Sequence, residues 1–123
     1  MRIGFCTSLI ATQIDGTGSE WIEKGQEIGF DYVELPLAQM VDLKDEEFCS
    51  LRERVGSSGL KCESCNNFFP GSIRLTGNAV DYGKIEEYLD KALRRAAQLG
   101  VKVIALGSPK SKNVPEGYPM DKA

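Results

Sequence analysis

The chain has 123 residues, 41% of them hydrophobic and 27% charged, with 18 acidic against 15 basic residues for a net charge of −3. These values are typical of an ordinary globular protein, and the length allows one domain at most, over residues 1–123. The sequence contains no histidine. Ser-His, Cys-His and His-metal chemistry are therefore excluded for this chain alone, and catalysis would have to use carboxylates, lysines or thiols.

The acidic balance and the distribution of apolar residues predict where the protein works. A pI near 5.0 argues against a nucleic-acid partner, which needs clustered lysine and arginine. No apolar run approaches the ~18 residues of a membrane span, and the first residues lack a clear cleavage site. We therefore expect a cytoplasmic protein without a membrane partner, whose four cysteines are reduced thiols.

In chain order, a first strand over residues 2–8 precedes three segments with helical periodicity. Thr17 and Glu20 have the spacing of a capping box that opens a helix ending at Gly29. A second helix is predicted near residues 45–57, and Asp81 caps a third that ends at Gly100. After each helix a glycine, an apolar residue and a charged residue lead into a strand, as in Gly29-Phe-Asp-Tyr-Val-Glu-Leu. This internal repeat predicts an α/β fold of order βαβαβαβ, with four parallel strands and three helices, either closed as a barrel or doubly wound.

Strand alternation assigns a helix-facing side and a second side on which small and polar residues collect. The second side carries Gly4, Cys6 and Ser8, Tyr32, Glu34 and Pro36, Cys62, Ser64 and Asn66, and Val103, Ala105 and Gly107. Its polarity rises toward the strand C-termini, which favours a barrel interior opening into a site. The alternation also puts Glu63 against the helices, where a lone carboxylate is costly, and a bulge would shift that register.

Glu34 is the best single candidate for chemistry, because it lies on the interior side near the end of the second strand. Burial there can raise a carboxyl pKa into a range useful for proton transfer; a structural salt bridge or hydrogen bond is the alternative. Cys6 is expected to line the same interior. The amide of Asn66 can orient a polyol and Phe68 can wall a pocket, although both residues also suit a self-bonded loop.

Cys62 and Cys65 form a CxxC sequence that invites a zinc or redox interpretation. No second CxxC or histidine accompanies it, and residues three apart in a regular strand point to opposite faces about 10 Å apart. We therefore expect buried, unreactive thiols.

Several motifs together resemble a known family. They are Cys62-Glu-Ser-Cys-Asn-Asn-Phe-Phe-Pro-Gly71, Arg95-Ala-Ala-Gln-Leu-Gly-Val101, Ala105-Leu-Gly-Ser108 running to Asn113-Val-Pro-Glu-Gly-Tyr118, and the opening Ile3-Gly4-Phe5. The chain resembles the xylose isomerase-like TIM barrels, the sugar phosphate isomerases/epimerases grouped with the apurinic-endonuclease family 2 barrels.

The resemblance implies an eight-stranded barrel that moves a proton next to a sugar carbonyl. It also implies a divalent metal (Mn, Co, Mg or Zn) bound by Glu, Asp, His and Glu of the later strands, so that no metal ligand maps onto this chain. Glu34, Asn66 and Ser108 map to the substrate side, for a sugar or sugar phosphate.

A closed barrel of this type needs about 250 residues, so the sequence predicts the N-terminal half of a (β/α)8 barrel. We expect such a half to be inactive alone and to associate with a second half-barrel chain or with its own copies. The alternative is a non-catalytic half-barrel that oligomerises or binds carbohydrate. The identity of the catalytic residues stays open, as does whether the chain is an enzyme at all.

Overall fold

A computed structural model describes residues 1–123, in which four parallel strands alternate with helices. The strands are β1 (Gly4–Cys6), β2 (Tyr32–Pro36), β3 (Lys61–Asn66) and β4 (Val103–Ile104). The helices are α1 (Ile22–Ile28), α2 (Leu37–Asp42), α3 (Asp45–Ser58), α4 (Tyr82–Leu99) and α5 (Pro109–Lys112), with short 3-10 turns at Thr7–Leu9, Ser19–Trp21 and Met120–Lys122. The sheet order β1-β2-β3-β4 follows the chain, so the predicted α/β alternation with four parallel strands is confirmed.

The three predicted helices are present as α1, α3 and α4, and two short helices join them. Asp81 caps α4 as expected, because its carboxylate accepts a hydrogen bond from the Lys84 N–H at 3.2 Å. Helix α2 was not predicted, since its six residues are too few to show a periodicity. It is held by tertiary contacts instead, with four of its residues buried in the core.

The capping box predicted at Thr17 and Glu20 is wrong. The Glu20 carboxylate turns away from the helix and accepts hydrogen bonds from the Thr12 N–H at 2.6 Å and the Gln13 N–H at 3.2 Å. Glu20 therefore orders the loop after β1, and a 3-10 turn rather than a capped α-helix precedes α1.

The core lies between the sheet and the helices. Seventeen buried residues form it, with Val33 and Leu35 of β2 at its centre and Phe48, Leu51 and Val55 of α3 on one flank. On the opposite, concave side of the sheet no helix covers the strands. The sheet thus has a packed outer face and an open inner face.

A β-bulge at Glu63 changes the predicted faces of β3. Val33 pairs with Cys62, but Glu34 pairs with Ser64, so Glu63 is the extra residue. Cys62 therefore lies in the core at 1% exposure, and its predicted place on the concave side is wrong. The bulge releases Glu63 from the helix side, and its carboxylate receives two hydrogen bonds of 2.8 Å from Arg2.

Candidate functional site

Five polar side chains from three strands meet on the concave face, and we refer to them as the Glu34 cluster. They are Cys6 of β1, Ser8 of the turn that follows it, Glu34 of β2, and Ser64 and Asn66 of β3. All five are partly exposed. The structure thus brings together three of the predicted site residues, Cys6, Glu34 and Asn66, and adds two serines of the same face.

The Glu34 carboxylate is held by neutral donors. Ser64 donates from Oγ to Glu34 Oε2 at 3.0 Å, and Asn66 donates from Nδ2 to Glu34 Oε1 at 3.0 Å. Neither oxygen contacts a lysine or arginine, so of the two structural alternatives the hydrogen bonds are present and the salt bridge is not. The hydrogen bonds fix the orientation of the carboxylate near the C-terminal end of the sheet, where parallel α/β proteins place ligands.

Asn66 also links the first strand to the cluster. Its Nδ2 lies 2.8 Å from Cys6 Sγ and 3.5 Å from Ser8 Oγ, and Cys6 Sγ lies 3.1 Å from Ser8 Oγ. Its Oδ1 is buried and has no hydrogen-bond partner. A buried acceptor without a partner costs about 1–3 kcal/mol, so this oxygen favours any donor that can reach it.

An ion pair and an aromatic ring lie on the concave face, at the N-terminal end of the strands. The Arg2 guanidinium lies 5.5 Å from the centre of the Tyr32 ring and is paired with Glu63. Hydrogen bonding with Glu63 raises the pKa of Arg2, and the same contact lowers the pKa of Glu63. Gly4 makes room for the ring, because a Cβ at that position would lie 2.2 Å from Tyr32 Cε2.

Ser108 and Phe68 do not join the Glu34 cluster. Ser108 is 3% exposed, and its Oγ accepts a hydrogen bond from the Phe69 N–H at 2.8 Å. Phe68 packs against Phe69, with ring centres 4.7 Å apart, and its carbonyl accepts a hydrogen bond from the Tyr88 hydroxyl. Burial raises the pKa of Tyr88, which keeps that donor protonated. Both predicted residues stabilise the loops after β3 and β4 through these contacts. Contact of either residue with a substrate stays a prediction.

These loops and α2 line an open pocket of about 370 Å³. Its polar lining comprises Gln39, Asp42, Asn67, Ser108 and Lys110. Asn67 donates from Nδ2 to Gln39 Oε1 at 2.8 Å, and its backbone adopts φ 48°. Sequence reasoning missed Gln39 and Asp42 because they belong to the unrecognised helix α2.

The two cysteines of the CxxC sequence are buried on the same side of the sheet. They lie in the core at 1% and 0% exposure, so the prediction of buried thiols is confirmed and that of opposite faces is wrong. The cause is the bulge at Glu63, which adds one residue between them. A hydrogen bond with Cys62 and burial raise the pKa of Cys65, which keeps its thiol neutral and unreactive.

No group of three or more Cys, Asp or Glu side chains converges in a way that could hold a metal ion. The residues of this chain alone therefore do not fit the divalent metal that the resemblance implies. The metal stays a prediction for a longer relative. None of the helices combines the length and the apolarity needed to cross a bilayer.

Solved structures with this fold include two sugar epimerases. The first is D-psicose 3-epimerase in the presence of D-fructose, with a TM-score of 0.68 and 19% sequence identity. The second is the 3-keto-D-glucoside 4-epimerase YcjR from E. coli in its apo form, with a TM-score of 0.59 and 17% identity. Each alignment covers 85% of this chain and 36% of the other chain. No family model matches the sequence, and no curated protein matches it either.

The fold is therefore that of part of a TIM barrel, since the four strands and their helices superpose on about a third of each epimerase chain. This agrees with the predicted half-barrel. At identities below 20% the likeness establishes the fold and leaves the activity to be argued from the site.

Proposed function

We propose that this chain is the N-terminal half of a sugar isomerase/epimerase-like barrel and is inactive without its second half. The observation that carries the proposal is the Glu34 cluster, a fixed carboxylate among hydroxyls and an amide on the concave face. Two solved structures of the same fold bear names of sugar epimerases, which supports a sugar as the ligand.

The chemistry follows from the properties of the cluster. A carboxylate held by Ser64 and Asn66 is a well-oriented acceptor for sugar hydroxyls, and it can stabilise the position of a sugar while a proton moves next to its carbonyl. Moving that proton also requires a base and a group that polarises the carbonyl oxygen. The resemblance assigns both to the later strands, so we propose that this half orients the substrate.

A fusion protein tests the proposal. The chain is joined to the C-terminal part of D-psicose 3-epimerase that completes the barrel, with manganese present, and deuterium uptake from D₂O into D-fructose is followed by NMR. We expect exchange in the fusion and none in the chain alone. Glu34→Gln in the fusion should reduce exchange at least tenfold, whereas Glu87→Gln, at an exposed position of α4, should leave it unchanged.

Two results would contradict the proposal. One is exchange by the isolated chain with stoichiometric bound metal, which would refute inactivity. The other is a folded fusion, shown by circular dichroism and manganese binding, that exchanges no deuterium.

A second candidate function is a non-catalytic half-barrel that associates through its sheet. Both outer strands, β1 and β4, have an edge without a partner strand, and apolar side chains are exposed there. Ile3 is 50%, Val103 63% and Leu106 49% exposed. Open edges of this kind favour pairing with another chain, whether or not that chain completes an active site.

A further inference from the structure

The charge on the concave face bears on the kind of ligand that it accepts. On this face β1 to β4 present the Glu34 carboxylate together with uncharged side chains: Cys6, Ser8, Tyr32, Ser64, Asn66 and Val103. Arg2, a cation at this face, lies at the opposite end of the strands, beyond the Tyr32 ring. Its charge is already paired with Glu63 through two hydrogen bonds.

The carboxylate itself has no cationic partner. Ser64 and Asn66 satisfy its two oxygens with neutral donors, so its negative charge is oriented but not neutralised. A phosphate or carboxylate group brought to the cluster would face this charge at short range in a partly desolvated site, where like charges repel more strongly than in water.

The hydrogen-bonding capacity of the cluster points the same way. Its charged atoms are acceptors, the two carboxylate oxygens of Glu34, and the dianion of a phosphate monoester has no proton to donate to them. A sugar hydroxyl can donate to a Glu34 oxygen and accept a hydrogen bond from Ser8, whose hydroxyl lies in the same cluster.

We infer that the Glu34 cluster binds an uncharged, hydroxyl-rich end of its ligand and rejects a phosphorylated or carboxylated end. This inference rests on the proposed function for the identity of the ligand as a sugar, and it separates neutral sugars from sugar phosphates at this part of the site. The selectivity comes from an unneutralised carboxylate rather than from a shape that excludes the larger group.

An NMR titration of the whole chain tests the inference. The probes are D-fructose and inorganic phosphate, and the readouts are the side-chain amide protons of Asn66 and the backbone amides of Glu34 and Ser64. We expect D-fructose to shift these resonances saturably. Phosphate should leave them unshifted at concentrations tenfold above the D-fructose midpoint.

A charge-neutral variant separates electrostatics from shape. In Glu34→Gln we expect the midpoint for phosphate at these resonances to fall into the range found for D-fructose. Glu87→Gln, which removes an exposed carboxylate from α4, should leave phosphate excluded. The backbone spectrum reports whether each variant is folded. If Glu34→Gln does not fold, Ser64→Ala serves as the second variant; it keeps the Glu34 charge and should still exclude phosphate.

Three outcomes would overturn the inference: phosphate binding at the cluster as tightly as D-fructose, no saturable shift with D-fructose, or phosphate still excluded from a folded Glu34→Gln protein. The deuterium-exchange assay of the fusion judges the proposed function separately. If the fusion exchanges deuterium into a sugar phosphate and the phosphate group binds at the cluster, the inference is refuted and the proposed function stands. Neutral-sugar binding without exchange in the completed barrel would remove the proposed function alone.

Discussion

At the scale of single residues, Arg95 is a buried cation that holds the end of helix α2. Arg95 lies on α4, and its guanidinium is buried. It donates hydrogen bonds to the carbonyls of Met40, Val41 and Leu43 at the C-terminal end of helix α2. Its ion pair with Asp45 contributes less, because the Asp45 side chain is 96% exposed and solvent screens the pair. Arg95 thus supplies donors that the helix end cannot obtain from its own backbone.

Replacing Arg95 should therefore destabilise the protein strongly. Arg95→Met leaves buried carbonyls without donors, and we expect a loss of roughly 2–4 kcal/mol in the free energy of unfolding. Arg94→Met removes only an exposed pair with Asp90 and should cost no more than about 0.5 kcal/mol. Urea denaturation followed by circular dichroism measures both, and equal losses would contradict this role of Arg95.

The ionised side chain of Glu20 should make the stability of the fold sensitive to acid. Partial burial alone would raise its pKa, but hydrogen bonds from Thr12 and Gln13 outweigh this and hold the pKa below the ordinary value of 4.5. Because the folded-state pKa is the lower one, ionised Glu20 stabilises the fold at neutral pH. That contribution is lost as the pH falls from near 4.5 through the folded-state pKa.

The test compares unfolding free energies at pH 7 and pH 3. Glu20→Gln should be less stable than the wild type at pH 7, and the difference should shrink at pH 3, because Glu20 of the unfolded chain becomes protonated below its ordinary pKa of 4.5. Glu87→Gln should show no such convergence. A stability difference for Glu20→Gln that is independent of pH would refute the role of its charge.

At the scale of elements, helix α1 packs on β1 through a glycine. A Cβ at Gly25 would lie 2.2 Å from Cε1 of Phe5, so Gly25→Ala should push the ring out of place and cost about 1–3 kcal/mol. Gly56 in α3 has no atom within 4 Å of such a Cβ, and Gly56→Ala should stabilise by about 0.5–1 kcal/mol. Opposite shifts of the urea midpoint would confirm the packing, and destabilisation by both substitutions would contradict it.

The elements that could be predicted from sequence are those specified by local signals. Helices α1, α3 and α4 end at the glycines of the repeat, Gly29, Gly59 and Gly100, each with positive φ. Helix α2 escaped prediction because its C-terminal carbonyls are satisfied by Arg95, more than fifty residues further along the chain. A contact of that separation leaves no periodic pattern.

The candidate site was predictable to the extent that strand alternation holds. Alternation placed Cys6, Glu34 and Asn66 on one face, and the structure brings their side chains within hydrogen-bond distance of each other. Strand alternation gave the wrong face for Cys62, because a strict two-residue period does not include the extra residue of a β-bulge. The cost of burying a lone carboxylate against the helices did indicate Glu63 as the position of such a bulge. Ser108 was assigned through the family resemblance, but its hydroxyl accepts a hydrogen bond from the Phe69 N–H.

At the scale of the whole molecule, the four-stranded sheet differs from a closed barrel in having one uncovered face and two unpaired edges. Val103 pairs with Ser64 and lies on the concave side of β4, where it is 63% exposed. Four strands of a barrel leave this face and two strand edges uncovered, so we expect the purified chain to associate with itself or with a completing half.

Light scattering after size-exclusion chromatography measures that association, over a hundredfold range of protein concentration. The wild type should have an apparent mass above the 13.5 kDa of one chain, and Val103→Lys should lower it by placing a charge on the buried face of the assembly. The matched control is Leu93→Lys, which places the same charge on an apolar position of 47% exposure in helix α4 rather than in the sheet. It should leave the mass unchanged, and a well-folded wild-type monomer at every concentration would refute pairing through the open sheet.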